Sequence, residues 1–420
     1  MRTLSLLTAA ACLLLSCTPA PRVPQATLAE RTGFKAKLVN STIEGALSQP
    51  LARETEGKWQ GAFWAMGLAR YKSENTTAAI QKAFAQWSAL SPAFQRALLE
   101  VVYTLYPGEF VTEAEGVLRS AKSEKLFAMA ALQVLRATEW KTPGSISEQM
   151  EARFPNHASH PILRLLNYEL KQASLDPPPR RPPIGDLLSA PIEPGKPVIF
   201  SLQRKNRHFS GLALVRDGNG QFVKLNGSTC FSIPQLALAA SDLPGYLSNG
   251  NTPQGIFSVQ GFGQSKNVFI GPTLNVQMRL PFEAKPFEYF HTADSSDSAW
   301  TRERYEQLLP SSWKNYLPIY TVFYAGEAGR CEIIAHGTTI DPEFYAGEPY
   351  FPNAPSLGCL SAVESWSLQD GRRVSSEQQK LVDAMRKIGF EKGYLVVVEL
   401  NDEERPVTLE EVLPLIIPSD

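Results

Sequence analysis

Residues 331–337 read CEIIAHG, and residues 355–361 read PSLGCLS. The first run is apolar and leads into His336, and Cys359 follows 23 residues later, directly after Gly358. A cysteine thiolate is a strong nucleophile, and a nearby histidine can accept the thiol proton. We therefore predict a site with Cys359 as nucleophile and His336 as base, where Gly358 lets the backbone approach a substrate. The amides around Gly358 and Cys359 are candidates for an oxyanion hole.

The composition is that of an ordinary globular protein. The chain has 420 residues, which suggests two or three domains, and 43% of them are hydrophobic and 20% charged. The formal net charge is −1, which argues against a nucleic-acid partner. The sequence has no metal-ligand cluster, phosphate loop or nucleotide fingerprint, so we expect neither a metal nor a cofactor.

The first residues are typical of an export signal. Residues 1–16 begin with a positive charge and continue as an apolar run that is too short to span a bilayer. The run ends in LLSC at residues 14–17, which resembles the lipobox of bacterial lipoproteins. In that family the cysteine, here Cys17, becomes the first mature residue and carries the lipid, and Thr18 favours the periplasmic face of the outer membrane over the inner one. A plain secretory signal is the open alternative.

Three segments precede the first β-type pattern. Residues 17–38 are rich in proline at their start and are expected to form a tether. Residues 39–172 have apolar positions at helical spacing, which predicts an all-α domain of stacked helical hairpins, like an α-solenoid. Residues 173–197 contain PPPRRPP, which favours an extended linker. The helical domain would be a platform for a protein partner or a spacer from the membrane.

From residue 198 the hydrophobic pattern is typical of β-strands. Residues 198–403 are predicted to form a mostly-β domain and residues 404–420 a C-terminal tail, so the fold class is α+β multidomain. Helices are expected at 301–309 and 375–388. The predicted strands are 198–202, 212–215, 221–225, the end of 250–259, 274–280, 320–324, 331–335 and 394–400.

Three stretches of this second domain resemble the L,D-transpeptidase (YkuD-like) family of cell-wall enzymes. Residues 251–259 read NTPQGIFSV, which is similar to the family's Thr-Pro-x-Gly-x-Phe segment. Residues 334–338, IAHGT, are similar to its His-Gly-Thr segment, and residues 356–360, SLGCL, to its Ser-His-Gly-Cys segment. Their order and spacing also fit, and the resemblance covers about residues 196–403.

The resemblance implies an acyl-transfer enzyme that acts on peptidoglycan stem peptides. Cys359 would attack the bond after the third residue of a tetrapeptide stem, release D-Ala and pass the acyl group from a thioester to an amine. His336 would act as base and then as acid, with its tautomer held by a backbone carbonyl. The residues expected to contact the substrate are Gly337, Thr338, Ser356, Tyr345 and Tyr350.

The chain departs from the family pattern at two positions. Leu357 stands where a His is usual, and Ser361 where Arg or Asn is common. Variants with Ser-x-Gly-Cys form a branch in which some members resemble hydrolases or amidases. The alternatives are therefore a hydrolytic peptidoglycan peptidase or amidase, and a non-catalytic wall-binding scaffold lipoprotein. Cys230 and Cys331 either pair in an oxidising compartment or are two free, buried residues in strands.

Overall fold

The computed structural model describes residues 20–175, 180–296 and 299–416. The predicted export signal and the lipidation site at Cys17 lie outside these residues. Among the helices that are described, none is both long and apolar enough to cross a membrane.

Helices dominate the described chain up to residue 189. The α-helices there are α1 Leu28–Lys37, α2 Gly45–Leu47, α3 Glu56–Ala69, α4 Glu74–Ala85, α5 Pro92–Leu105, α6 Val111–Ser120, α7 Glu124–Ala137, α8 Pro143–Arg153, α9 Pro161–Gln172 and α10 Ile184–Ser189. A π-helical stretch, Leu38–Glu44, joins α1 to α2. Short 3-10 turns precede α1 at Pro24–Ala26 and α5 at Trp87–Ala89.

Capping residues fix where two of these helices, α4 and α5, begin. Ser91 accepts a hydrogen bond of 3.3 Å from the Phe94 amide before α5, and Pro92 occupies the first turn, where its missing N–H is no loss. Ser73 and Thr76 form a reciprocal capping box at α4. Helices α3, α5, α7 and α9 then pack in succession, with α6 on α7 and α8 on α9. This arrangement is compatible with the predicted helical hairpins.

A large sheet follows the helical region. Its strands and those of two small hairpins are β1 Val198–Gln203, β2 Gly211–Arg216, β3 Lys224–Leu225, β4 Thr229–Cys230, β5 Ser232–Gln235, β6 Gly255–Gly263, β7 Asn275–Arg279, β8 Ile334–Gly337, β9 Leu360–Ala362, β10 Glu364–Trp366, β11 Arg373–Ser376 and β12 Gly393–Glu399. The helices among them and after them are α11 Pro286–Tyr289, α12 Arg302–Glu306, α13 Thr321–Glu327, α14 Glu377–Lys387 and α15 Leu409–Ile416, with 3-10 turns at Ser311–Trp313, Leu317–Tyr320 and Pro342–Tyr345.

The sheet curls into a nearly closed barrel. Its strand order is β5-β2-β1-β12-β6-β7-β8-β9, with β1–β12 and β8–β9 parallel and the other pairs antiparallel. Leu236, directly after β5, exchanges backbone hydrogen bonds of 2.8 and 2.9 Å with Ser361 of β9. This bridge brings the two edge strands together, so β9 is held from both sides.

The central strands are apolar on both faces. Strand β1 reads VIFSLQ and is buried throughout, and β12 reads GYLVVVE and is buried up to its last residue. Strands that are covered on both sides read as continuous hydrophobic runs. The helices of the N-terminal region supply part of this cover, because one apolar cluster runs from Leu99 of α5 through α7 and α9 into the strands.

The helical region is therefore packed into the same body as the sheet. Helix α9 contacts α13, and Arg164 donates a hydrogen bond of 2.9 Å to the Tyr324 hydroxyl. The predicted linker, residues 173–197, contributes α10, whose leucines join the common core. The predicted tail, residues 404–420, contains α15, which packs on α10. Residues 176–179 of the proline run lie outside the described residues.

The expectation of a tether over residues 17–38 is wrong where the structure describes that segment. Val23 donates a backbone hydrogen bond of 2.8 Å to Gly371, and α1 begins five residues later. Arg31 of α1 forms an ion pair of 2.9 Å with Asp341, in which both side chains are largely buried. Prolines favour an extended backbone, which suits a strap against a folded surface as well as a free tether. Composition therefore did not distinguish the two.

Three strand predictions also need correction. Residues 320–324 are helical, in the turn Leu317–Tyr320 and in α13, because a short aromatic and β-branched run fits a buried helix as well as a strand. Of residues 331–335 only the last two belong to β8, since Glu332 has a left-handed φ of 61°. The strand expected at 221–225 is reduced to β3.

The shared core predicts that helices and sheet unfold together. Leu166 of α9 is fully buried in the common cluster, so Leu166→Ala is expected to lower the free energy of unfolding by about 2–5 kcal/mol. Far-UV circular dichroism and Cys359 accessibility should report one transition, shifted by the same amount. The matched control is Leu175→Ala, because Leu175 is 50% exposed. If the transition seen by circular dichroism shifts while the transition in Cys359 accessibility does not, the helices and the sheet do not share a common core.

Candidate active site

The predicted Cys–His pair opens onto one large cleft between the helices and the barrel. The cleft has a volume of about 1110 Å³. Helices α3 and α5 form one wall, and the ends of β8 and the residues before β9 form the other. The lining residues include Trp64 and Leu68 of α3, Glu100 and Thr104 of α5, and Ile334, His336, Thr338, Leu357 and Cys359 of the barrel side.

The parallel pairing of β8 with β9 brings the histidine and the cysteine together. Ala335 lies opposite Leu360 and His336 opposite Ser361. Extending this register by one residue places Cys359 opposite Ile334, and the Ile334 amide donates to the Cys359 sulfur at 3.5 Å. Side chains two residues apart on a strand share a face. Cys359 and His336 therefore point to the same side of the sheet, into the same cleft.

The stretch at residues 251–259 supports the loop that carries the cysteine, residues 356–359, here called the cysteine loop. The buried hydroxyl of Thr252 donates a hydrogen bond of 2.9 Å to the Gly358 carbonyl. Ser356 braces the same loop, because its hydroxyl accepts from the Gly358 amide at 2.9 Å and donates to the Cys359 carbonyl at 2.8 Å. The Gly358 amide is thus already bonded, so the expected oxyanion hole loses this donor. Ser356 acts within the loop, as a turn-bracing residue.

His336 is held as a neutral imidazole. Its Nδ1 lies 2.5 Å from the Gly337 carbonyl, which can only accept, so the proton is on Nδ1 and the lone pair on Nε2. Burial lowers the pKa of His336, and the bond to Gly337 offsets part of this effect. A side chain at Gly337 would overlap the carboxyl group of Glu364. Gly337 therefore orients the base through its carbonyl, and the adjacent Glu364 leaves no room for a side chain at this position.

The Cys359 thiol is half-buried and protonated at neutral pH. Burial raises its pKa, the Ile334 amide and the Arg330 guanidinium lower it, and the carboxylates of Glu332 and Glu283 add to the rise. The sulfur also donates to the Glu332 carbonyl at 3.6 Å. The resting site thus has a neutral thiol and a neutral imidazole that line the same cleft, and the proton must move during attack.

Two residues near the site were missed by the sequence analysis. Glu364, with a fully buried side chain, accepts hydrogen bonds of 2.5 Å from Thr273 and Ser376, and burial raises its pKa. Arg330 is 6% exposed, and its guanidinium occupies the space that a Gly358 side chain would take. Gly358 is therefore required by Arg330, and the predicted close approach of a substrate is not the reason. A charged residue outside every motif gave no signal in the sequence.

The predicted substrate contacts fall into two groups. Thr338 lines the cleft, where its hydroxyl accepts from the Ile340 amide at 3.2 Å. Tyr345 and Tyr350 are only 1% and 3% exposed and form a small apolar cluster with the residues that follow β5, so the expected substrate contact by these rings is wrong. Aromatic residues in a long loop were mistaken for a binding wall because burial is not visible in loop composition.

The two departures from the family pattern lie in different environments. Leu357 is 51% exposed and lines the cleft beside the cysteine loop. Ser361 points inward and donates a hydrogen bond of 2.8 Å to the Ala354 carbonyl. The first substitution thus changes the surface that a substrate meets, and the second supports the loop.

The other two cysteines in the described part of the chain are free. Cys230 is buried in β4, as the free-residue alternative predicted, whereas Cys331 is exposed and precedes β8. Cys331 is therefore neither bridged to Cys230 nor a buried strand residue.

Compared with known proteins, the chain matches no family model, no curated protein and no solved structure.

The neutral state of the pair predicts the pH dependence of Cys359 alkylation. In a Cys331→Ser background, the rate with iodoacetamide should still be rising at pH 9, because burial raises the thiol pKa above its usual value of about 8.5. His336→Gln should leave this midpoint nearly unchanged, since a neutral imidazole contributes no charge. A rate that is already constant at pH 7, and lost in the histidine variant, would indicate a preformed ion pair instead.

The bond from Thr252 predicts a stability effect. Thr252→Val keeps the shape but leaves the buried Gly358 carbonyl without its donor, which should lower the free energy of unfolding by about 1–3 kcal/mol. Thr32→Val is the control, because the Thr32 hydroxyl bonds its own helix at an exposed position, and a change of less than about 0.5 kcal/mol is expected there. Equal effects in chemical denaturation would remove the proposed role of Thr252.

Proposed function

We propose that this protein is a cysteine acyltransferase of the L,D-transpeptidase type that acts on peptidoglycan stem peptides. The observation that carries the proposal is the pairing of β8 with β9, which directs His336 and Cys359 into one cleft. The contact of Thr252 with the cysteine loop adds support, because it joins residues 251–259 to residues 356–360, two of the three stretches on which the family resemblance rests.

The geometry suits general-base attack by a thiol. The lone pair of His336 Nε2 takes the proton from Cys359 as the sulfur attacks the carbonyl carbon of the stem peptide. The Cys359 amide is the remaining candidate for stabilising the oxyanion, since the Gly358 amide is bonded to Ser356. The departing amine of D-Ala takes the proton from His336, and a thioester is left on Cys359.

The thioester then reacts with an acceptor. An amine gives a crosslink or an attachment, and water gives a free tripeptide and makes the enzyme a peptidase. The cleft wall supplied by α3 and α5 must admit this acceptor as well as the stem. Leu357 offers an apolar surface at the position where the family usually has a histidine.

The N-terminus suggests where the enzyme works. We propose export and lipidation at Cys17, which places the protein at the periplasmic face of the outer membrane or elsewhere in the cell envelope. Two residues would then separate the lipidated Cys17 from Ala20, and Val23 is already bonded to Gly371, in the turn between β10 and β11. In this arrangement the folded part of the chain stays close to the membrane, and the helical region forms a cleft wall instead of a spacer.

Incubation with purified disaccharide-tetrapeptide muropeptides tests the proposal. Chromatography and mass spectrometry should show release of D-Ala, with dimers if an amine accepts and tripeptide if water does. Cys359→Ala should abolish release, and His336→Gln should slow it about 10²–10⁴-fold by removing the base. Cys230→Ala is the matched control and should retain activity, because Cys230 is a free cysteine buried in β4 and is not among the residues that line the cleft. Binding of muropeptides without any turnover, unchanged in Cys359→Ala, would favour the scaffold alternative.

A further inference from the structure

Arg330 is a buried cation without an ion pair in the part of the chain that the structure describes. Its guanidinium donates hydrogen bonds to the backbone carbonyls of Gly245, Gly250 and Asn251, the last at 2.8 Å. Carbonyl dipoles only partly replace the hydration of a charge, and burial lowers the Arg330 pKa to about 10. An unneutralised charge in the interior destabilises the fold, so its position calls for a functional reason.

The guanidinium lies directly against the cysteine loop. Gly358 adopts a φ of 116°, and a Cβ atom there would overlap Arg330 Nη2. The next residue is Cys359, and a negative charge on its sulfur would raise the Arg330 pKa. Only a glycine lets the loop pass this close to the cation.

Two carboxylates act on the Cys359 thiol in the opposite sense. Glu332 and Glu283 both oppose ionisation of the thiol, and Glu283 is partly neutralised by Arg279 at 3.1 Å. His336, on the same face, is neutral. Arg330 is therefore the side chain that favours a negative charge on the sulfur.

The helical region fixes the loop that holds this cation. Asn249 lies in the same loop as the three carbonyls, and its side-chain amide donates to both oxygens of Glu100 on α5, at 3.0 and 3.1 Å. Glu100 also pairs with Arg96, one turn earlier on α5. Contacts from the cleft wall thus extend, through one loop, to the guanidinium beside Cys359.

We propose that Arg330 is a positioning residue that stabilises the Cys359 thiolate as it forms. The inference rests on Cys359 as the nucleophile of the proposed function. When the thiol proton moves to His336 Nε2, negative charge develops on the sulfur, and Arg330 stabilises that charge. The charge is lost again as the carbon–sulfur bond of the thioester forms, so Arg330 exchanges no proton and forms no bond with the substrate.

Two substitutions at Arg330, made in the Cys331→Ser background, test whether its positive charge stabilises the Cys359 thiolate. Arg330→Gln removes the cation, and Arg330→Lys keeps it while losing most of the carbonyl bonds. Arg330→Gln should raise the pKa of Cys359 by about one unit. Thiolate fraction falls tenfold per unit, and the greater nucleophilicity of a more basic thiolate offsets part of this, so alkylation at pH 7.5 should slow about three- to fourfold.

The matched control is Arg216→Gln. Arg216 is also buried, 3% exposed, and its guanidinium donates to the carbonyls of Leu188 and Ala190, far along the chain from the cysteine loop. It should destabilise the fold without moving the Cys359 pKa. Arg330→Lys should shift that pKa by less than half as much as Arg330→Gln. Equal shifts in the lysine and glutamine variants, or in the Arg216 control, would show a structural effect only and overturn the inference.

A measurement on the unmodified chain covers the case in which Arg330→Gln does not fold. Iodoacetate and iodoacetamide differ in charge, and a local cation favours the anionic reagent. Peptide mapping should give a ratio of iodoacetate to iodoacetamide rates several-fold higher at Cys359 than at Cys331, which lies near Glu283 and Glu332. An equal or lower ratio at Cys359 would overturn the inference. No cell-wall substrate is used, so this outcome is independent of the proposed reaction.

Discussion

The parallel pairing of β8 with β9 is the constraint on which the site depends. A shift of this register by one residue would turn Cys359 to the opposite face of the sheet from His336. The register is held from two sides, because β9 pairs with β8 along one edge and Ser361 bonds Leu236 along the other. Closure of the barrel and alignment of the pair are thus one structural requirement.

The helical region contributes to the site as well as to the core. Helices α3 and α5 supply one wall of the cleft, and Glu100 of α5 holds Asn249 in the loop around Arg330. Because the helical region packs against the barrel, removal of the helices would expose the strands and release the loop around Arg330. The two parts of the chain are therefore expected to depend on each other for folding and for the geometry around Cys359.

The sequence was informative where a residue type has one physical reason to be where it is. The apolar runs of β1 and β12 identified buried strands, and the pattern around His336 and Cys359 identified residues that the fold does bring together. It was uninformative where burial decides the role. Tyr345 looks like a binding residue in a loop but is buried, and Arg330 belongs to no motif because its partners are backbone carbonyls of a distant loop.

The claim that Cys359 forms the acyl intermediate is tested most directly by the mass of its peptide. The protein is mixed with a tetrapeptide-stem muropeptide, quenched in acid, where thioesters persist, and digested for mass spectrometry. The account predicts that the Cys359 peptide gains the mass of the stem without its terminal D-Ala, and that treatment with hydroxylamine removes the addition. An unmodified Cys359 peptide during active release of D-Ala would contradict it.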